Sequence, residues 1–404
     1  MQQDETESRA APTRGSAAEV FAAFLALGLT SFGGPVAHLG YFRTEFVERR
    51  RWLDDATFTD LVALCQFLPG PASSQVGMAL GLTRAGWLGC LAAWVGFTMP
   101  SAIALIAFAY GIAQWSGAAA SGAMHGLKVA AVAIVSQAVW GMARTLCPDR
   151  MRAAMAIVAA ILVLALPGAV GQLAAIAVAG VVGWRWIRVP QASAAPHGPH
   201  GVPRPVGVAA LLLFALLLAG LPLLAASTRD PVIGLVEGFY RAGALVFGGG
   251  HVVLPLLQAT VVPSGFIGNA EFLAGYGAAQ AVPGPLFTFA AYLGAAMHLP
   301  FAPWLGGLLF LAVIFVPAFL LVVGALPFWD ALRQRQDARA ALAGINAAVV
   351  GLLLAALYTP VWTSAIAGRA DFAIALAAFG LLVYGRVSPV IVVACAAVAG
   401  VVVS

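Results

Sequence analysis

Apolar runs of about 20 residues recur along the whole chain, separated by short stretches that hold its few charges. A helix of that length crosses a bilayer core of roughly 30 Å. Backbone groups in lipid have to be paired within their own segment, so these runs are helices. The two-residue alternation of a membrane barrel is absent. The pattern predicts long helices at about 86–110, 122–146, 151–167 and 169–187, a further one at 207–227, and four more at 303–326, 341–359, 370–385 and 387–403. Shorter apolar segments precede each group of four. Residues 17–34 and 232–249 end on Phe-Gly-Gly, a second arm covers 35–47 and 251–262, and a helix broken at Pro-Gly-Pro covers 56–82 and 270–297.

The two groups are copies of one pattern. SFGGPVAHLG at 31–40 answers VFGGGHVVLP at 246–255, and CQFLPGPASS at 65–74 answers AQAVPGPLFT at 279–288. FTMPSAIAL at 97–105 answers IFVPAFLLV at 314–322, and GLKVAAVAIV at 126–135 answers GINAAVVGLL at 344–353. The offset stays near about 215 residues throughout, which is the mark of an internal repeat. Between the copies, residues 188–206 hold five prolines and read as a flexible, solvated linker. The expected organisation is a disordered tail (1–16), a first repeat (17–187), a cytoplasmic linker (188–206), a joining transmembrane helix (207–227) and a second repeat (228–404).

Composition agrees. The chain is 62% hydrophobic and 9% charged, where a soluble domain carries roughly 25% charged residues. Its net charge of +5 comes from arginines in short clusters at the ends of apolar runs, with Lys128 the only lysine. That placement suits topology determinants and argues against a nucleic-acid partner. The tail lacks the basic start and apolar run of a secretory signal. Cys65, Cys90, Cys147 and Cys395 have no metal-ligand spacing and read as small buried hydrophobes. No Walker loop, dinucleotide fingerprint or His-Glu-x-x-His motif occurs, so neither an enzyme nor a cofactor is expected.

The arginines also orient the halves. The loop carrying Arg43, Arg49, Arg50 and Arg51 has a chargeless counterpart at 259–269, while the loop carrying Arg333, Arg335 and Arg339 has a chargeless counterpart near 110–123. If positive loops face the cytoplasm, equivalent loops lie on opposite sides. The expected fold is an all-α polytopic membrane protein of two inverted-topology repeats with re-entrant or broken helices. About nine full crossings and four shorter hairpins satisfy that arrangement.

The candidate ion-binding elements follow from the breaks. Pro69, Gly70 and Pro71, and likewise Pro283, Gly284 and Pro285, interrupt a helix inside the membrane. A new half-helix starting at Ser73 and Ser74, or at Thr288, presents unpaired amides and a positive dipole end to an anion. A plain structural kink is the alternative. Gln66 and Gln280 each stand three residues before the first proline. Gly33 and Gly34, with Gly248 and Gly249, permit either a tight turn that offers amide donors or close helix packing. Intramembrane polar groups are costly, so Lys128, whose counterpart is Asn346, is a candidate to meet the anion or its coupling ion, or to snorkel from a helix end. His38 and His251 flank the glycine turns and are candidate proton carriers; Gln75 is a weaker candidate. Glu237 and Arg241 are four residues apart and pair on one helix face. Arg43, Glu45, Arg49 and Trp52 form either a cytoplasmic anchor or an electropositive vestibule.

These fragments together resemble the long-chain, two-domain members of the chromate ion transporter family. The resemblance rests on SFGGPVAHLG followed by YFRTEFVERRRWL, on CQFLPGPASSQ, and on the echoes VFGGGHVVLP and AAQAVPGP, and it covers roughly residues 17–403. It implies efflux of chromate from the bacterial cytoplasm across the inner membrane, resistance to chromate, competition by sulfate, and a drive from the membrane potential or a proton gradient. Carried onto this chain, the family's motif positions are Gly33, Gly34, His38, Arg43, Glu45, Arg49, Trp52, Gln66, Pro69, Gly70, Pro71 and Gln75. The second copy lacks the arginine cluster and the second glutamine, which favours the first half for ion contact. A sulfate importer or exchanger, and a non-transporting membrane sensor, are the competing readings. The short hairpins leave room for a homodimer interface.

Overall fold

A computed structural model describes residues 15–114, 117–166, 168–189 and 202–403. The tail expected over 1–16 lies outside these residues except at Gly15 and Ser16, and the linker is described only at its two ends. Helices make up most of what is described, with no strand among the described residues.

In the first half, α1 (Ala17–Thr30) is capped by Ser16, whose side chain accepts from the Glu19 amide. The chain then turns through Gly33 and Gly34 at φ 98° and 77° into α2 (Gly34–Phe42), which continues as a π-helical turn, Arg43–Arg49. α3 (Asp55–Phe67) is capped by Asp54 and ends just before Pro69. α4 (Ala72–Gln114) restarts at once and bends at Ala85 and Gly86, dividing into α4a (72–84) and α4b (87–114). α5 (Ala118–Leu146), α6 (Arg150–Ala165) and α7 (Ala169–Trp186) complete the half.

α8 (Arg204–Thr228) joins the halves. The second half runs through the same order. α9 (Pro231–Leu245) leads to Gly248 and Gly249, then α10 (Val253–Val261), α11 (Asn269–Ala279), α12 (Phe289–Ala296) and α13 (Pro303–Ala325). A short α14 (Trp329–Arg333) precedes α15 (Gln336–Ala356), and a short α16 (Thr363–Ala365) precedes α17 (Arg369–Val383) and α18 (Pro389–Val403). Both Phe-Gly-Gly elements therefore turn on positive-φ glycines, as the sequence pattern predicts.

The halves interlock. α18, the last helix of the second half, packs on α5 of the first; α7, the last helix of the first half, packs on α15 of the second. Small residues allow both crossings. A Cβ at Gly126 would overlap the Ala396 carbonyl, and one at Gly344 would overlap the Ala179 carbonyl. Gly400 and Gly183 make the matching close approaches from the other side. In lipid the apolar effect does not drive helices together, so association relies on such backbone-to-backbone packing.

Among the described residues, six helical elements are long and apolar enough to cross a membrane. α6 has 16 residues, and α17 and α18 have 15 each. They extend about 22–24 Å, short of a roughly 30 Å hydrocarbon core. α8 lies on the outside against α9 and α13 and turns Leu212, Leu216 and Leu223 outward. Trp87, Trp184, Trp186, Trp304 and Tyr384 are exposed near helix ends, where interfacial aromatics belong. Cys65 and Cys90 are buried as expected; Cys147 is half-buried and Cys395 is exposed, correcting the reading of all four as core residues. Glu237 and Arg241 pair at 2.6 Å, as their spacing predicts.

Charges fix the two ends of the bundle. Arg43 donates to Asp55 at 2.6 Å, at the start of α3. One turn further on, Asp60 accepts from Trp329 Nε1 at 2.9 Å and from Arg333 at 3.2 Å. The loops 43–54 and 327–340 thus meet at one end. Arg84 lies over Trp52 there, 5.2 Å from the ring centre. From that point α4b runs 28 residues, about 42 Å, to an opposite end where Gly117 and Ala270 line one cavity.

The Asp60–Arg333 pair joins the halves, with side chains only 11% and 10% exposed. Asp60→Ala leaves Trp329 Nε1 without its acceptor, while Arg333 keeps Asp330, 3.1 Å away. It is therefore expected to cost about 1–3 kcal/mol, read as a drop of a few degrees in the thermal midpoint of the detergent-purified protein. An unchanged midpoint would contradict that cost.

Candidate functional site

The site is built from the two Pro-Gly-Pro breaks. Proline has no N–H and its ring clashes with the preceding turn, so α3 and α11 stop before them. Gly70 and Gly284 sit at φ 121° and 98°, in a region that favours glycine. Each glycine then docks on the other half: Gly70 N–H donates to the Val246 carbonyl at 2.7 Å, and Gly284 N–H donates to the Ser31 carbonyl at 2.9 Å. Ser31 and Val246 are repeat counterparts, each directly before its Phe-Gly-Gly turn. The contact is thus reciprocal between the two repeats.

The neighbours repeat as well. A Cβ at Gly284 would stand 2.9 Å from Ser101 Oγ and 3.1 Å from the Phe97 carbonyl oxygen. One at Gly70 would stand 2.8 Å from Gln75 Nε2 and 3.4 Å from Ala318 Cβ. Ser101 and Ala318 are counterparts, each directly after the proline inside its helix, Pro100 in α4b and Pro317 in α13. Two Pro-Gly-Pro turns, two Phe-Gly-Gly turns and two proline-bearing helices therefore converge.

Polar side chains collect at this crossing. His38 Nδ1 lies 3.3 Å from Ser73 Oγ, and its ring meets Phe97 edge-on with centroids 5.2 Å apart. Gln75 Nε2 donates to the Pro69 carbonyl at 2.8 Å, and Ser101 Oγ donates to the Thr98 carbonyl at 3.1 Å. In the second half, His251 Nδ1 and the Tyr276 hydroxyl are 2.8 Å apart. Several buried atoms here have no protein partner: Ser31 Oγ, His38 Nε2, Ser74 Oγ, Gln75 Oε1, Thr98 Oγ1 and Gln280 Nε2. An unsatisfied buried polar group costs about 1–3 kcal/mol, so a concentration of them marks a place built for something polar.

The two half-helices differ. α4a restarts at Ala72, and its first ladder bond runs from the Gln75 amide to the Pro71 carbonyl at 2.9 Å. The preceding amides, together with the buried Ser73 and Ser74, stand at the free positive end of the helix. The counterpart restarts earlier than Thr288, in a tight turn over Leu286–Thr288. Thr288 gives both its amide (3.0 Å) and its hydroxyl (2.7 Å) to the Pro285 carbonyl, so its own donors are turned back on the break. The first half thus has the more open anion-type terminus.

Other sequence candidates lie elsewhere. Gln66 is exposed, unlike its counterpart Gln280. Arg43, Glu45 and Arg49 are at the end of the bundle and engaged with one another's neighbours: Arg43 with Asp55 and Glu48, Arg49 and Arg50 with Glu45. Hydrogen bonding to Asp55 raises the pKa of Arg43 further above its ordinary value. Trp52 Nε1 donates to Glu19 at 3.1 Å, an anchoring contact. Lys128 Nζ reaches the Ser364 carbonyl at 3.5 Å and faces a separate cavity, whereas its counterpart Asn346 sits beside Gly248. Sequence reasoning missed Ser31, Thr98, Ser101 and Tyr276. The first three stand inside repeat anchors already recognised, as polar breaks in apolar runs, and that signal was available. No cluster of metal-ligating side chains occurs among the described residues.

The family model described as chromate transporter matches residues 18–184 and 233–401. A chromate transport protein of Pseudomonas aeruginosa is 30% identical over 361 residues, covering 86% of this chain and 81% of that protein. A chromate transport protein of Cupriavidus metallidurans is 26% identical, covering 83% and 80%. A probable chromate transport protein of Synechococcus elongatus is 24% identical, covering 83% and 82%. No solved structure matches the chain.

Proposed function

The chain belongs to the chromate transporter family, and from that premise we propose that it exports chromate from the bacterial cytoplasm as a secondary active transporter of the inner membrane, conferring chromate resistance. It is a multi-pass membrane transport protein and not an enzyme. The observation that carries the reading is the reciprocal crossing, where Gly70 and Gly284 each bond the opposite half beside buried polar atoms that lack protein partners. A tetrahedral dianion there is neutralised by amide donors, the α4a dipole and the Ser73 and Ser74 hydroxyls. Low local dielectric makes those donors stronger than in water.

Energetics favour the outward direction. Moving one charge through 100 mV is worth about 2.3 kcal/mol, so an outward dianion gains about 4.6 kcal/mol from a negative interior. That supports roughly a thousandfold gradient, with protons an additional coupling ion if His38 or His251 carries one. The test is flux of labelled chromate and of sulfate in liposomes holding the purified protein, with a potential and a proton gradient imposed separately. Potential-driven chromate flux, reduced by sulfate, is expected. Sulfate flux indifferent to chromate would favour a sulfate carrier, and no flux of either anion would remove the transport reading.

We also propose that the two repeats are inverted in the membrane. Supporting this, the loop 43–54 and its counterpart region near Ala270 lie at opposite ends of α4b, while both arginine-rich loops share one end. A cysteine replacing Ser264 is expected to react with an impermeant reagent from the periplasm. Reaction from the cytoplasm alone would end the inverted arrangement.

A further inference from the structure

Lys128 is placed where the crossing does not use it. A cavity of about 350 Å³ opens at the end of the bundle remote from the arginine cluster, with Ser121, His125 and Lys128 along one face of α5 and Ala270 of α11 opposite. That volume lies in the range of small-ligand sites. The charge of Lys128 is unmatched there. Its ammonium has one long contact, the Ser364 carbonyl at 3.5 Å, and no carboxylate within 4.0 Å among the described residues. Asp371 is committed to His125: it meets His125 Nε2 at 2.7 Å and accepts from the Ala367 and Gly368 amides at 2.9 and 3.1 Å.

One helix spans the distance from the cavity to the crossing. α11 starts at the cavity wall and ends just before Gln280 and Pro283. Along it, the Leu127 carbonyl presses on Gly277, 2.8 Å from where a Cβ would stand. Lys128 is therefore level with the last turn of α11 before the break. A cationic group with two spare donors, at the base of a small open cavity one helix turn from a broken helix, is suited to catch a doubly charged oxyanion.

We propose that Lys128, with His125 and Ser121 lining the wall, forms a second, outer oxyanion site at the mouth opposite the arginine cluster, separate from the crossing. This inference rests on the transport reading for the identity of its ligand. The repeat supplies no second such site, because the counterpart residue is the neutral Asn346 beside Gly248.

The test uses full-length protein in liposomes, its four native cysteines replaced and Ser121→Cys introduced. Sulfate is the probe, since chromate oxidises thiols. Sulfate is expected to slow modification of the introduced cysteine by an impermeant thiosulfonate at least threefold relative to chloride at matched ionic strength. Lys128→Arg keeps the protection and Lys128→Gln loses it. Absence of protection, or equal protection in the Lys128→Gln protein, overturns the outer site. Sulfate and chromate flux are read on the same vesicles. Flux without protection removes the outer site alone, and protection without flux supports the outer site while removing the transport reading.

Discussion

Gly284→Val is expected to lower the initial rate of chromate flux by tenfold or more, while Gly265→Val leaves it close to the unmodified protein. Both glycines lie at positive φ, 98° and 77°, so both substitutions incur a backbone strain of about 1–2 kcal/mol. Their surroundings differ. Nothing lies within 4 Å of a Cβ at Gly265, whereas at Gly284 it would stand 2.9 Å from Ser101 Oγ and 3.1 Å from the Phe97 carbonyl oxygen. A branched side chain there pushes the second Pro-Gly-Pro turn off Ser31 and moves the polar groups that the crossing aligns. Gly70→Val, which meets Gln75 Nε2 at 2.8 Å, is expected to behave like Gly284→Val. Flux per reconstituted molecule is the measurement. Equal rates for the Gly265 and Gly284 variants would mean that strain alone, and not the crossing, sets the effect.

The second large effect concerns assembly. Gly126→Ile forces a side chain into the Ala396 backbone at the α5–α18 crossing, and Gly344→Ile does the same at the α15–α7 crossing. The helix backbones cannot give way without separating, so a loss above about 4 kcal/mol is expected, in the range reserved for overpacked cores. Gly141→Ile is the control, because it lies on the same helix α5 with nothing within 4 Å. The yield of monodisperse protein and its thermal midpoint are expected to collapse for the first two and to stay near normal for the third. Since each crossing joins a helix of one half to a helix of the other, both variants should also loosen the association of the halves.

Much of this architecture was legible beforehand because it is local. Apolar run lengths, the Pro-Gly-Pro breaks and the Phe-Gly-Gly turns place helix ends within a few residues of those observed, for example 169–187 against Ala169–Trp186. The internal repeat was legible too, since its anchors keep one offset. What the pattern does not carry is which half meets which. That Gly70 bonds Val246, and that α18 lies on α5, are tertiary relations with no trace in spacing. The unequal half-helix ends were hidden for a related reason: Thr288 and Ser73 are interchangeable polar residues in sequence, and only backbone geometry shows that one is closed on Pro285. Which of the two places Lys128 takes, the crossing or a helix end, is likewise tertiary: it faces a cavity of its own, while its counterpart Asn346 reaches the glycine turn. The arginine cluster was recognised, but its pairing with Glu45, Glu48 and Asp55 leaves less free positive charge than the count of arginines suggests.

The amides at the start of α4a bear the central claim, and hydrogen–deuterium exchange of the segment around 69–78 reads them directly. With sulfate or chromate added to the reconstituted protein, exchange at Ala72, Ser73 and Ser74 is expected to slow severalfold, with no change at Thr288, whose amide is already given to Pro285. Unaltered exchange at Ala72–Ser74 in protein that still moves the anion would contradict the account.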